Sequence, residues 1–236
     1  MADVRVFDDP PALAASAAGH IAGVLREAIA LRGEALLALT GGRTIAQTYR
    51  ILATEGEDDL DWSRVFFFFS DERCVPAEHP ESNYGMVREA LLTPLRIGED
   101  QVFRMEGEQE PEQAAHVYET GLRDHLGDDL PLFDLVLLGL GEDGHVASLF
   151  PGTPALHEED RWVVPAQAPS SSPVRDRLTL TLPVLNSARE VLFVVSGAGK
   201  REAVRRALEG DTALPASHIR PSGQVTWFLD AEAAAA

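Results

Sequence analysis

Two short runs of this chain leave little choice about their surroundings. Val65 to Ser70 reads Val-Phe-Phe-Phe-Phe-Ser, and Phe133 to Leu138 ends in Leu-Val-Leu-Leu. Successive side chains of a strand point to opposite faces, so an unbroken apolar run demands cover on both. A strand inside a largely parallel sheet, with helices packed above and below, meets that demand. Ala35 to Thr40, Arg177 to Leu182 and Val191 to Ser196 read as further strands. Helical periodicity marks Pro11 to Arg32, Ile45 to Ala53, Asn83 to Leu92, Pro111 to Leu126 and Lys200 to Leu208. The expected fold is therefore α/β, a three-layer αβα sandwich with a mostly parallel sheet. Neither an internal repeat nor a long linker interrupts it, so residues 1–236 are expected to form one domain. Residues 168–173 read as a turn-rich loop and residues 231–236 as a frayed tail.

Composition narrows the partners. A formal charge of -18 repels nucleic-acid phosphates and anionic membrane surfaces, so neither is an expected partner. No apolar run approaches the roughly 20 residues of a membrane helix, and the start shows no basic segment followed by an apolar stretch. The chain is expected to be soluble and cytoplasmic. The single cysteine, Cys74, excludes an internal disulfide framework. A phosphorylated substrate remains compatible, provided that its cationic contacts are local.

Ligands of open α/β sheets bind beyond the carboxyl ends of the strands, and four segments there carry unusual chemistry. Gly41-Gly42-Arg43-Thr44 turns directly from strand to helix, a geometry that offers backbone N–H groups to an anion. The plain alternative is a tight turn with Thr44 as N-cap. Ser70-Asp71-Glu72-Arg73 sets three charges where the chain leaves the phenylalanine strand, and Ser82 or Asn83 then caps a helix. The third segment, Gly139-Leu140-Gly141-Glu142-Asp143-Gly144-His145, has the glycine spacing of a dinucleotide fingerprint. Two carboxylates occupy its turn, Pro151 ends any helix within two turns, and no acid follows at the required distance. An acid and a histidine two residues apart suit acid–base work better. The fourth segment, Ser196-Gly197-Ala198-Gly199-Lys200, lacks the first glycine and the Ser or Thr of a nucleotide-binding loop, yet places Lys200 at a helix start.

Together these segments resemble the 6-phosphogluconolactonase family, within the wider group that includes glucosamine-6-phosphate deaminase. The most specific pieces are Asp71-Glu72-Arg73-x-Val75-Pro76 with Ser82-Asn83-Tyr84, the stretch from Leu138 to Gly152, and Arg177-x-Thr179-Leu180-Thr181-Leu182-Pro183. The resemblance runs from about Val6 to Leu229. It implies a modified Rossmann-like fold without nucleotide, and metal-free hydrolysis of 6-phospho-D-glucono-1,5-lactone in the pentose phosphate pathway, with no cofactor. His145 is then the general base, Asp143 orients the imidazole or holds a sugar hydroxyl, and Arg73 with turn N–H groups meets the developing oxyanion. Gly41, Gly42, Arg43 and Thr44, with Arg177 and Lys200, grip the phosphate. Asp71, Asn83, Gly141 and Gly144 complete the substrate site.

Two other readings stand beside this one. A deaminase of the same group carries a glutamate five residues beyond the histidine, where this chain has Phe150. A non-catalytic sugar-phosphate sensor has no need of Asp143 and His145. Ile45 stands where many relatives have proline, a change expected to matter little. Ser148 lies outside any G-x-S-x-G elbow, and Cys74 is expected to fill a pocket wall. His20, His79, His116, His125, His157 and His218 read as solvated or structural, with no metal-ligand spacing among them. The assembly is expected to be a monomer or a homodimer.

Overall fold

The computed structural model describes residues 3–55, 60–130 and 132–235. In chain order its elements are β1 (Asp3–Phe7), α1 (Pro10–Arg32), β2 (Ala35–Leu39), α2 (Arg43–Glu55), β3 (Val65–Phe69), β4 (Asp71–Arg73), α3 (Asn83–Val87), α4 (Pro111–Leu126), β5 (Leu135–Leu138), β6 (Val163–Gln167), β7 (Asp176–Leu180), α5 (Leu182–Ser187), β8 (Glu190–Val195), α6 (Arg201–Leu208), β9 (Gln224–Asp230) and α7 (Ala231–Ala234). Six strands form one parallel sheet in the order β1-β9-β8-β5-β2-β3. Both expected runs are covered as their composition requires: β5 is buried throughout, and Phe67, Phe68 and Phe69 of β3 are fully enclosed. Helices flank the sheet, so the α/β expectation holds.

Local chemistry explains the element ends. Asp9 accepts a hydrogen bond from the Ala12 N–H at 2.8 Å, and Pro10 and Pro11 occupy the first helical positions of α1. Gly33, at φ 88°, stops that helix in a left-handed cap. Ser82 is the N-cap of α3, accepting from the Gly85 N–H at 3.0 Å. The helix expected over Asn83 to Leu92 changes pitch midway, since Arg88–Leu92 is wound as a π-helix.

The sheet order grows from β2 in both directions, with β3 on one side and β5, β8 and β9 on the other. Loops leaving β2 and β5 therefore diverge and open a crevice beyond the carboxyl ends of these strands. Two buried tyrosines fix that edge. Tyr49 of α2 donates to the Thr40 carbonyl at 3.0 Å and accepts from the Thr40 N–H at 3.1 Å. Tyr118 of α4 does the same for Phe69, at 3.2 and 2.9 Å.

Three local features add to or differ from the sequence reading. The strand expected at Arg177 to Leu182 is β7, and it belongs to a second, antiparallel sheet in the order β4-β7-β6. Thr44 is not an N-cap: α2 begins at Arg43, so Thr44 lies inside the helix, and the Ala46 N–H bonds to the Gly42 carbonyl. Where the sequence suggests a loose tail, residues 231–234 form α7, with Asp230 as its cap through the Ala233 N–H and Ala233 buried. Ala236 lies outside the described residues. Among those residues no helix is long and apolar enough to cross a membrane.

Candidate active site

The chain after β5 makes a compact loop in which the Gly141 N–H bonds to the His145 carbonyl at 2.9 Å and the Gly144 N–H to the Gly141 carbonyl at 3.0 Å. Asp143 Oδ1 lies 2.6 Å from His145 Nδ1 and also accepts from the His145 N–H at 3.1 Å. An ionised carboxylate only accepts, so Nδ1 is the donor, and in the neutral ring Nε2 is then the free acceptor. Burial opposes the charge on Asp143, but its bonds to His145 prevail and hold the carboxyl below its usual range. A β-carbon at Gly141 would lie 2.0 Å from His145 Nδ1 and 2.4 Å from Asp143 Oδ1, so the dyad exists only above a glycine. The Phe150 ring leans on the imidazole at 4.5 Å.

A second wall comes from β4 and β7. Glu72 is 2% exposed, and its carboxylate accepts from the Arg73, Asn83 and Tyr84 N–H groups at 2.6, 2.7 and 2.7 Å and from Ser82 Oγ at 3.1 Å. Burial pushes its carboxyl above the usual range despite these donors. The bonds fasten the start of α3 to β4 and so place Asn83, whose Nδ2 donates to the Asp71 carbonyl at 2.9 Å and to its Oδ1 at 3.3 Å. Asp71 Oδ2 accepts from Ser148 Oγ at 2.8 Å. Arg73 and Arg177 stand opposite each other on the antiparallel ladder. Arg73 donates to the Glu81 carbonyl at 2.6 Å, and Arg177 Nη2 to Ser172 Oγ at 2.8 Å. Arg177 is 7% exposed, and its Nε finds no hydrogen-bond partner among the described residues. Burial, then the Arg73 charge, pulls its guanidinium below the ordinary value.

These walls enclose a cavity of about 620 Å³. It is lined by His145, Asp143, Arg73, Gly41, Gly42, Arg43, Thr44, Asp71, Asn83, Gly141, Arg177 and Lys200, residues spread over most of the sequence. Gly41 must be glycine, because its β-carbon would meet Asn83 Oδ1 at 1.8 Å. Gly144 is the exception. It packs on Leu214 at φ 81°, and its carbonyl accepts from the Ala216 N–H, so it shapes the loop without lining the cavity.

Cys74 does not line the cavity either, contrary to expectation; burial raises its thiol to about 12. Ser148, Phe150, Ser171 and Ser172 line it and were not singled out as site residues. Only the three serines between prolines at 168–173 offered a signal for the last two. His20 pairs with Glu190 at 2.7 Å, His125 packs among Phe66, Phe68 and Phe103, and His218 bonds to the Thr212 carbonyl. Among the described residues no group of three or more His, Cys, Asp or Glu side chains converges as a metal site.

The model of the family described as glucosamine-6-phosphate isomerases/6-phosphogluconolactonase matches residues 8–227. The chain belongs to this family. It is 42% identical over 239 residues to the 6-phosphogluconolactonase of Rattus norvegicus, across 98% of this chain and 92% of the rat protein. The solved 6-phosphogluconolactonase from Trypanosoma cruzi superposes with a TM-score of 0.88 at 33% identity, covering 99% of this chain and 96% of that one. A monomeric glucosamine-6-phosphate deaminase is also similar, with a TM-score of 0.83 at 26% identity and 98% coverage of each chain. The family description thus names both enzymes, and in this chain the residue beside the imidazole is Phe150.

Proposed function

We propose that this chain hydrolyses 6-phospho-D-glucono-1,5-lactone to 6-phospho-D-gluconate, the second step of the oxidative pentose phosphate pathway, by general-base activation of water. The observation that carries this reading is the Asp143–His145 pair, set over Gly141 in a cavity that also holds Arg43, Arg73, Arg177 and Lys200. His145 Nε2 takes a proton from water as the water oxygen bonds to the lactone carbonyl carbon. The charge that develops on the carbonyl oxygen is met by Arg73 and by loop N–H groups. Collapse of the tetrahedral intermediate breaks the bond from that carbon to the ring oxygen, which receives the proton from the imidazolium. Asp143 orients the ring through Nδ1 so that Nε2 faces the water.

The substrate phosphate is held by the start of α2 at Gly41 to Thr44 with Arg43, by Arg177 and by Lys200. Two arginines opposite each other on one ladder repel, and a bound dianion removes that repulsion while giving Arg177 Nε an acceptor. Asp71 and Asn83 are placed to meet sugar hydroxyls. Phe150 has no proton to transfer, which favours the lactonase over a deaminase. The setting proposed is cytoplasmic, without metal or organic cofactor.

A coupled assay with fresh 6-phosphogluconolactone and with glucosamine 6-phosphate tests this reading. Hydrolysis of the lactone well above its spontaneous rate, with no fructose 6-phosphate formed from the amino sugar, is the expected result. Turnover of the amino sugar alone selects the deaminase, and binding without turnover of either selects a sensor.

A further inference from the structure

Behind the Lys200 turn lies a carboxylate that does not line the cavity. Asp230, the last residue of β9, is 1% exposed. Its Oδ2 accepts from Ser196 Oγ at 2.5 Å and from the Gly197 N–H at 3.0 Å, while Oδ1 accepts from the Gly197 N–H at 3.1 Å and the Ala233 N–H at 2.8 Å. One carboxylate therefore ties the loop after β8 to the first turn of α7. Burial disfavours its charge, but the Ser196 hydroxyl and the backbone donors prevail and keep the carboxyl below its usual range. Gly197 turns at φ 97°, and the Lys200 N–H closes the turn on the Gly197 carbonyl at 3.0 Å. A second tie runs from the Arg201 side chain to the Glu232 carbonyl at 3.4 Å.

Lys200 is the only lysine in the chain; the remaining 19 of its 20 Lys and Arg residues are arginines. An ammonium on a flexible four-carbon stem lacks the preorganised fork of a guanidinium, so its aim depends on where its backbone is held. We infer that Asp230 is a positioning residue for the substrate phosphate: through Ser196 and Gly197 it fixes the turn from which Lys200 reaches that group, and α7 anchors the arrangement at the end of the fold. The inference rests on the reading above that Lys200 meets the phosphate.

The test compares Asp230→Asn, Lys200→Ala and the double variant in steady-state hydrolysis of 6-phosphogluconolactone and of unphosphorylated gluconolactone, with each fold checked by thermal melting. Asp230→Asn is expected to raise KM for the phosphorylated lactone about 5- to 20-fold, as expected for a weakened charge-assisted contact, with kcat within about twofold and gluconolactone kinetics unchanged. In the Lys200→Ala background it should add little, because two residues acting through one contact are not additive. Asp230→Ser retains a cap for α7 while its shorter side chain falls short of Gly197, so it should reproduce the KM effect if the Asn variant does not fold. Equal losses on both lactones, or full additivity with Lys200→Ala, overturn the positioning role and leave the phosphate reading standing. An unchanged KM in Lys200→Ala overturns the contact between Lys200 and the phosphate, and the inference with it.

Discussion

Arg177 shows how much a single side chain can reveal and conceal. Its buried Nε without a partner, beside a second guanidinium, is costly unless an anion arrives. Planar bidentate contact is what arginine adds over lysine. Arg177→Lys should therefore raise KM for 6-phosphogluconolactone by about 5- to 30-fold, the worth of one lost charge-assisted bond, and hardly alter hydrolysis of gluconolactone. Equal losses on the two lactones would show that Arg177 contacts something other than phosphate. The sequence pointed to Arg177 by resemblance, and to Asp143 and His145 by their two-residue spacing on a glycine turn. It did not reveal that Gly144 packs on Leu214, a contact between segments distant in sequence, or that Ser172 holds Arg177, a local contact set by the path of the loop before β7. Ser148 was set aside as a nucleophile, and its structural place is as a donor to Asp71.

At the scale of elements, β3 and β5 were legible because an unbroken apolar run has one stable environment. Their partners were harder to read. β4 has three residues, all charged, and β6 carries Pro165, which is tolerated because β6 is an edge strand. The antiparallel sheet that brings Arg177 to the cavity was therefore missed as a sheet, although β7 itself was expected as a strand. Tyr49 was also invisible, since an apolar helix position with a hydroxyl does not announce which backbone it will bond. Its contacts pin the residue that precedes Gly41. Tyr49→Phe leaves the Thr40 N–H and carbonyl without that partner in a buried site, at a cost of about 1–3 kcal/mol. Denaturant titration should show this loss at unchanged m-value. A phenylalanine variant as stable as the parent would mean that the edge of β2 is held by other contacts.

Across the whole molecule, a chain at -18 gathers four cations around one cavity that has three acidic residues in its lining, Asp71, Glu142 and Asp143. Long-range repulsion and short-range attraction thus oppose each other, and only a ligand that reaches the cavity gains from the second. The catalytic dyad lies at the same carboxyl edge of the sheet, where the loops after β2 and β5 diverge. The most direct test of the account is the turnover number of His145→Asn on fresh 6-phosphogluconolactone, corrected for spontaneous hydrolysis and measured beside the parent protein. Turnover is expected to fall by roughly 10²- to 10⁴-fold, the worth of a positioned general base, with KM little changed. A folded His145→Asn protein that turns over within a few-fold of the parent would contradict it.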